Sequence, residues 1–340
     1  MNTKLLVTLG PSSLKKDIVS AIDRHDIFLF RINLSHTPLE KVEETIHLIR
    51  SFSDTPICLD SEGAQVRNQV MREGYAFFKD DTLITIHHKE VKGDSENISF
   101  TPDFVSQQLI PGDVINVDFN SVKLKVLENG SEKCVARVIS GGEVGSNKAA
   151  DIERDIELPS ITEKDEKAIK IGRSLGIKYF ALSFSSSRKE VEKFRSLTGD
   201  GAYIISKIES KKGVAHIDGI LEASDAILID RGDLSRQVPI ELVPFFQRRL
   251  ISTAKSAEKE VFVATNLLES MIISQQPTRA EVNDIVSTIE MGATGLVLAA
   301  ETAVGKYPIG SVKMVRKLTK QFNRWTSNTS LQELLQSGSN

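Results

Sequence analysis

The feature that most constrains this chain is an alternation of short runs, most of them apolar on both faces, with longer amphipathic segments. The runs are LLVTLG (5–10), IFLFRINLS (27–35), PICLDS (56–61), YFALSF (179–184), YIISKIE (203–209), AILIDRGD (226–233), VFVATN (261–266) and GLVLAAE (295–301). A strand apolar on both faces must be covered on both, the condition of a parallel sheet clothed by helices. Helix-start signals fall between the runs. Thr37 with Glu40 three residues on, and Ser187 with Glu190, read as capping boxes. Such β-then-α units in series predict an α/β fold, a closed (β/α)8 TIM barrel.

One interval breaks the rhythm. Between Arg67 and Asp155 the pattern alternates residue by residue, as in DTLITIHHKEV, DVINVDF, SVKLKVLENG and EKCVARVIS. Asn129-Gly130 between two such runs is a hairpin signal. The expectation is an antiparallel β lid domain over residues 66–155, inserted after the third strand of a barrel built from 1–65 and 156–330. Residues 331–340 read as a polar tail that frays after a final helix.

Composition narrows the function classes. A net charge of -3 gives no electrostatic attraction to nucleic acid or an anionic membrane, and no basic and aromatic residues interleave for base stacking. No apolar run approaches the ~18 residues that span a bilayer. The apolar part of MNTKLLVTLG is too short for a signal peptide. Cys58 and Cys134, far apart in apolar runs, read as buried free thiols, which suits a cytoplasmic protein. His87 and His88 are adjacent on a strand and read as surface or packing residues, and no histidine spacing suggests a metal.

In such barrels chemistry sits at the C-terminal ends of the strands. Reading those ends collects Arg31, Asn33 and Ser35; Asp60 and Ser61; Ser183; Lys207 and Glu209; Arg231 and Asp233; Thr265; and Glu301. Glu209 and Asp233 end neighbouring strands, so their carboxylates can share a hard divalent cation, although a salt bridge to Lys207 or Arg231 would look the same in sequence. Lys207 beside such an ion and Arg31 suits an electrophile toward an enolate oxygen or a transferring phosphoryl group. Asn33, Ser35 and Asp60 offer oxygens of the kind a monovalent cation takes; Asn33 and Ser35 are equally turn formers. Gly141, Gly142 and Gly145 ahead of Lys148 read as a glycine-rich turn, a phosphate cradle or a plain hairpin loop.

KLLVTLGPSS, FRINLSH, LDSEGAQVR, PGDVINVDF, LPSITEKD, ISKIES, RGDLS, ATNLLESM, QPTRAEVND and ETAVGKYP stand in the order and spacing of pyruvate kinase motifs. Over residues 4–326 the chain thus resembles the pyruvate kinase family, in its barrel and lid domains. The resemblance implies phosphoryl transfer between phosphoenolpyruvate and ADP, with magnesium or manganese and with potassium as a candidate activator. It implies a small-molecule substrate and an adenine nucleotide as partners, with no nucleic acid or membrane. It gives Lys207 the stabilisation of the phosphoryl group and enolate, Arg31 a contact to the phosphoryl group, and Thr265 a place in the proton relay. Glu209 and Asp233 become divalent-metal ligands, and Asn33, Ser35, Asp60 and Ser61 the monovalent-cation shell. Asn33, His36, Arg67 and Lys148 become nucleotide contacts, with the lid closing about hinges near Gly63 and Asp155. Ser183, Asp230, Arg231, Gly232 and Thr265 line the expected substrate pocket.

The departures are specific. Glu62 replaces a lysine of the family pattern, and Gln65 the glutamate tied to potassium dependence. Phe119 and Asn120 stand for Asp and Gly, Ser235 for a glycine, and Ala299 and Ala300 for Ser-Gly. Asp230 replaces a small residue on the side of the substrate's carboxylate. It would be protonated, or paired with Arg231, or matched to a substrate bringing a neutral or cationic group there. Motifs of the family's C-terminal domain, which carries allosteric sites and a major subunit interface, do not occur in these residues, so a monomer and a barrel-to-barrel homodimer are both open. A diverged paralogue acting on another 2-oxo acid or enol phosphate, and a non-catalytic descendant, are the alternative readings.

Overall fold

Strands β1 (Lys4–Thr8), β2 (Leu29–Asn33), β3 (Ile57–Asp60), β4 (Tyr179–Leu182), β5 (Tyr203–Ile208), β6 (Ala226–Asp230), β7 (Glu260–Ala264) and β8 (Gly295–Leu298) pair in parallel, each with the next. β8 closes on β1, with Lys4 opposite Gly295 and Val7 opposite Leu298. The computed structural model describes residues 3–63, 65–118, 121–154 and 156–337, so Phe119, Asn120 and Asp155 lie outside the described residues.

Period-two alternation sorts the side chains of each strand. Leu6, Leu29, Cys58, Ile205, Leu228, Phe262 and Val297 point inward and fill the barrel. Their neighbours Leu5, Phe30, Leu59, Ile204, Ile229 and Leu296 point outward, buried beneath helices. This is why the runs are apolar on both faces. The Phe262 ring stacks on Phe28, centroids 6.1 Å apart, and forces glycine at position 295, where a Cβ would lie 2.6 Å from that ring.

The chain divides into two units, Met1–Gly63 with Ser160–Asn340, and Ala64–Pro159. In the second, one sheet runs in the order Ala150–Ile152, Val114–Val117, Val122–Asn129, Lys133–Ser140, Leu83–His87, Asn97–Thr101 and Arg67–Asn68. All its pairings are antiparallel except that of Leu83–His87 with Asn97–Thr101. The Asn129-Gly130 hairpin is present, with the Gly130 amide donating to Lys133 O at 3.0 Å. Its core includes Phe78, Ile86, Phe100, Leu124 and Val138. Cys58 and Cys134 are buried and free. His87 bonds Asn97, and His88 is buried between Ser106 and the carbonyl of Gly130. Among the described residues no helix is long and apolar enough to cross a membrane.

Four local expectations need correction. Thr37 caps no helix: its hydroxyl donates to Asn33 O at 2.9 Å, and a 3-10 turn, Leu39–Lys41, precedes the helix Val42–Arg50. Ser187 does cap Arg188–Thr198, but the Glu190 carboxylate closes on Ser186 rather than completing a box. The glycine-rich turn is a strand, Gly142–Gly145, paired with Tyr75–Phe78, and the glycines permit close backbone approach: a Cβ on Gly141 would meet Phe78 O at 2.3 Å. In the expected polar tail, Leu331–Ser337 is helical, started by Ser330 and Glu333, which bond each other's backbone amides.

Candidate functional site

The parity that sends Leu29, Cys58, Ile205 and Leu228 into the barrel also sends in the residues two positions later. These are Arg31, Asp60, Lys207 and Asp230, at the C-terminal rim. All are buried, Asp60 completely and Asp230 to 8% exposure, so water does not screen their charges. Arg31 donates through Nε to Asp60 Oδ2 at 2.6 Å and through Nη1 to the Thr8 hydroxyl at 2.8 Å. The Lys207 ammonium lies 2.9 Å from Glu209 Oε1, 3.4 Å from Asp60 and 3.7 Å from Asp230, and donates to Ser183 Oγ at 3.2 Å.

Glu209 follows the last residue of β5. Its Oε2 accepts from the Phe184 amide at 2.6 Å, in a turn where Phe184 takes a φ of 52°. Its Oε1 is buried and has no hydrogen-bond partner; the Lys207 contact is electrostatic, without hydrogen-bond alignment. Asp233 sits in the first turn of the helix Arg231–Gln237 and pairs with Arg236 at 3.0 Å. One oxygen from each of Glu209, Asp230 and Asp233 lies within 4.8 Å of the others.

Burial alone would drive the proton off Lys207, but Asp60, Glu209 and Asp230 together hold it well above the ordinary lysine range. Arg31 is raised in the same way, against burial, chiefly by Asp60. Burial pushes Glu209 up, Asp233 and Asp230 adding and Lys207 opposing. Burial opposes ionisation of Asp230 too, yet Lys207, the Thr265 hydroxyl and Arg31 hold it below the usual carboxylate range. The group is a cage of buried cations and carboxyl groups that set one another's charge. Hard oxygen donors gathered within 4.8 Å from Glu209, Asp230 and Asp233 fit a divalent cation such as magnesium or manganese.

The remaining rim residues divide by partner. Ser183 donates to Ser61 O at 2.6 Å, and Ser61 Oγ accepts the Ser183 amide at 2.9 Å. Asn33 Oδ1 accepts the Ser35 amide at 3.0 Å, the turn-forming role. His36 is exposed beside that turn. Thr265 follows β7 with a φ of 71°, a left-handed conformation costly for a β-branched residue. Its hydroxyl donates to Asp230 at 2.5 Å and accepts the Gly232 amide at 3.2 Å. Two residues expected at the rim face elsewhere. The Arg231 guanidinium binds Thr265 O and Asp284, and Glu301 accepts the amides of Leu268 and Ala299. Arg231 therefore does not pair with Asp230.

In the second unit, Arg67 and Lys148 lie on adjoining segments: Arg67 bridges Ala149, and the Asn68 amide donates to Lys148 O at 2.9 Å. The Lys148 ammonium is 3.6 Å from Asp118, and Arg67 also holds Gln65. Sequence reasoning missed Thr8, Arg236 and Asp284 as supports. Thr8 carried a signal in the inward parity it shares with Leu6, and Arg236 in its i, i+3 spacing from Asp233.

Comparison with known proteins bears on the family and the fold. The family description "Pyruvate kinase, barrel domain" matches residues 1–312. A pyruvate kinase of Thermotoga maritima is 32% identical over 94% of this chain and 71% of its own length. One of Clostridium perfringens is 32% identical over 94% of this chain and 70% of its own. A crystal structure of a pyruvate kinase from Cryptosporidium parvum superposes with a TM-score of 0.86 at 28% identity, covering 96% of this chain and 70% of that one. The chain belongs to the pyruvate kinase family.

Proposed function

We propose that this chain catalyses divalent-metal-dependent phosphoryl transfer between an enol phosphate and an adenine nucleotide, with phosphoenolpyruvate and ADP as the first pair. The observation that carries the reading is the buried Lys207 ammonium held by Asp60, Glu209 and Asp230 beside the gathered carboxyl oxygens of Glu209, Asp230 and Asp233. Glu209 and Asp233 would hold magnesium or manganese, which when bound supplies charge neutralisation and a template for phosphate oxygens.

In this reading Lys207 and Arg31 present fixed positive charge to the transferring group and to the enolate oxygen left behind. They are positioned before substrate arrives, so no reorganisation is needed during the step. Thr265 is held on the same rim for the enolate's methylene face. Ser183 and Gly232 complete the wall of the pocket, and Arg231 acts as the brace behind Thr265. His36 in the barrel unit, and Arg67 and Lys148 in the second unit, remain the candidate nucleotide contacts, and nucleotide affinity of Lys148→Ala against wild type tests the last.

Asn33, Ser35, Asp60 and Ser61 remain the candidate potassium shell. Weak potassium dependence is proposed, because Asp60 is committed to Arg31 and Lys207 while Lys164 already donates to Leu34 O at 2.6 Å and pairs with Glu62. Asp230 favours a second reading, transfer to or from another 2-oxo acid or enol phosphate, since it adds an ionised carboxylate to the pocket. The test is pyruvate formation from phosphoenolpyruvate, ADP and magnesium, coupled to lactate dehydrogenase, with Lys207→Met as control. Turnover that depends on Lys207 supports the first reading. Equal rates in wild type and variant contradict the assignment of the centre.

A further inference from the structure

Asp230 is the last residue of β6, aligned with Ala264 of β7, and its carboxylate has two kinds of neighbour. Oδ1 accepts the Thr265 hydroxyl at 2.5 Å, and Oδ2 lies 3.7 Å from the Lys207 ammonium. The adjacent Arg231 spends its guanidinium on Asp284 at 2.7 Å and on Thr265 O, so it does not neutralise Asp230. Two buried cations, Arg31 and Lys207, thus face three buried carboxylates, Asp60, Glu209 and Asp230, while Asp233 is paired with Arg236. Oxygens of Asp230, Glu209 and Asp233 lie within 4.8 Å of one another, and the buried Glu209 Oε1 faces the Lys207 ammonium at 2.9 Å.

We propose that Asp230 is a third carboxylate facing the divalent cation, and that it selects a substrate whose metal-facing group is a neutral oxygen, carbonyl or hydroxyl, in place of a carboxylate. This rests on the phosphotransferase reading and names its substrate class. Two physical effects act together. A hard cation has a limited number of oxygen positions, and each one that the protein fills is lost to substrate. A substrate carboxylate brought beside the buried Asp230 carboxyl group also meets an acceptor-rich wall with little water to screen it. Thr265 is drawn into the same device. Its single hydroxyl hydrogen goes to Asp230 and its oxygen accepts the Gly232 amide, so the hydroxyl is committed within the protein.

The experiment measures Mn2+ binding to the full chain by electron paramagnetic resonance with no substrate present, for wild type, Asp230→Asn, Asp230→Ala and Glu209→Gln. Pyruvate binding to each Mn2+-loaded protein is then measured by calorimetry. The proposal expects Mn2+ affinity to fall tenfold or more in both Asp230 variants, and pyruvate to bind at least tenfold more tightly to loaded Asp230→Ala than to loaded wild type. Asp230→Asn keeps the size of the side chain and the acceptor for Thr265, so it decides the metal question if the alanine variant does not fold. Unchanged Mn2+ affinity in the Asp230 variants, with loss in Glu209→Gln, overturns the proposal and leaves the phosphotransferase reading standing. A wild-type protein that binds no Mn2+ overturns both.

Discussion

The Arg231 guanidinium donates to Asp284 at 2.7 Å and to the backbone carbonyl of Thr265, tying the rim of β6 to the helix Arg279–Glu290 and to the turn after β7. Thr265 holds a φ of 71° under this clamp. A left-handed threonine persists only where its surroundings over-determine it. Arg231→Lys keeps the charge but loses the planar fork that reaches several acceptors together. The expected outcome is destabilisation by about 2 kcal/mol, from hydrogen bonds to a charged group in a partly buried place. Urea unfolding of both proteins checks it.

Lys207→Met removes the cation from among three carboxylates. The rim is polar, but Lys207 is only 5% exposed, so the substitution leaves buried negative charge unpaired. Breaking a buried pair in this way costs about 3–5 kcal/mol. In the metal-free variant a loss of that order is expected, with phosphoryl transfer reduced by about 10²–10³ or more. Added Mn2+ should restore part of the stability by mass action. Melting curves across a metal titration show whether the variant gains more from the ion than wild type does, as the loss of the Lys207 cation from among three carboxyl groups requires.

In the second unit, Arg154 holds the Asp113 carboxyl below the usual carboxylate range through bonds at 2.8 and 2.9 Å, with the Ile110 amide adding at 2.9 Å. A depressed carboxylate contributes stability that is present above its unfolded pKa of about 3.9 and is lost as pH falls through the lower folded value. Residues around Asp113 should therefore lose hydrogen-exchange protection as pH is lowered below about 4. Asp113→Asn should lower protection at neutral pH and flatten that acid limb.

The barrel interior gives a prediction of coupling. Phe262→Ala removes a fully buried ring and should cost about 3–5 kcal/mol. Gly295→Ala places a Cβ 2.6 Å from the same ring and 2.8 Å from Lys4 O, and should destabilise by itself. In the double variant the ring contact is gone and only the backbone contact remains. The combined cost should fall short of the sum of the two single costs, as measured in a denaturant double-mutant cycle.

Local period and spacing make much of this fold legible in the amino-acid sequence. The eight strands follow from runs apolar on both faces, and the lid sheet from alternation between Arg67 and Ile152. Even the inward aim of Arg31, Asp60, Lys207 and Asp230 is a period-two consequence of Leu29, Cys58, Ile205 and Leu228 two residues earlier. What escapes such reading depends on partners remote in sequence. Arg231 reads as a rim residue, yet its guanidinium goes to Asp284, which belongs to a different helix. Gly142–Gly145 reads as a turn because its strand partner, Tyr75–Phe78, lies far upstream. Thr37 satisfies the spacing rule for a cap, but its hydroxyl is taken by Asn33 O across the turn.

Metal-dependent phosphoryl transfer at the Lys207 rim is the central claim. Phosphorus magnetic resonance tests it most directly, by following ADP and magnesium with a panel of enol phosphates that begins with phosphoenolpyruvate. ATP signals should grow with wild type for at least one donor, vanish when the metal is chelated, and fall by about 10² or more with Lys207→Met. No ATP from any donor in the panel, with magnesium or with manganese, would contradict it.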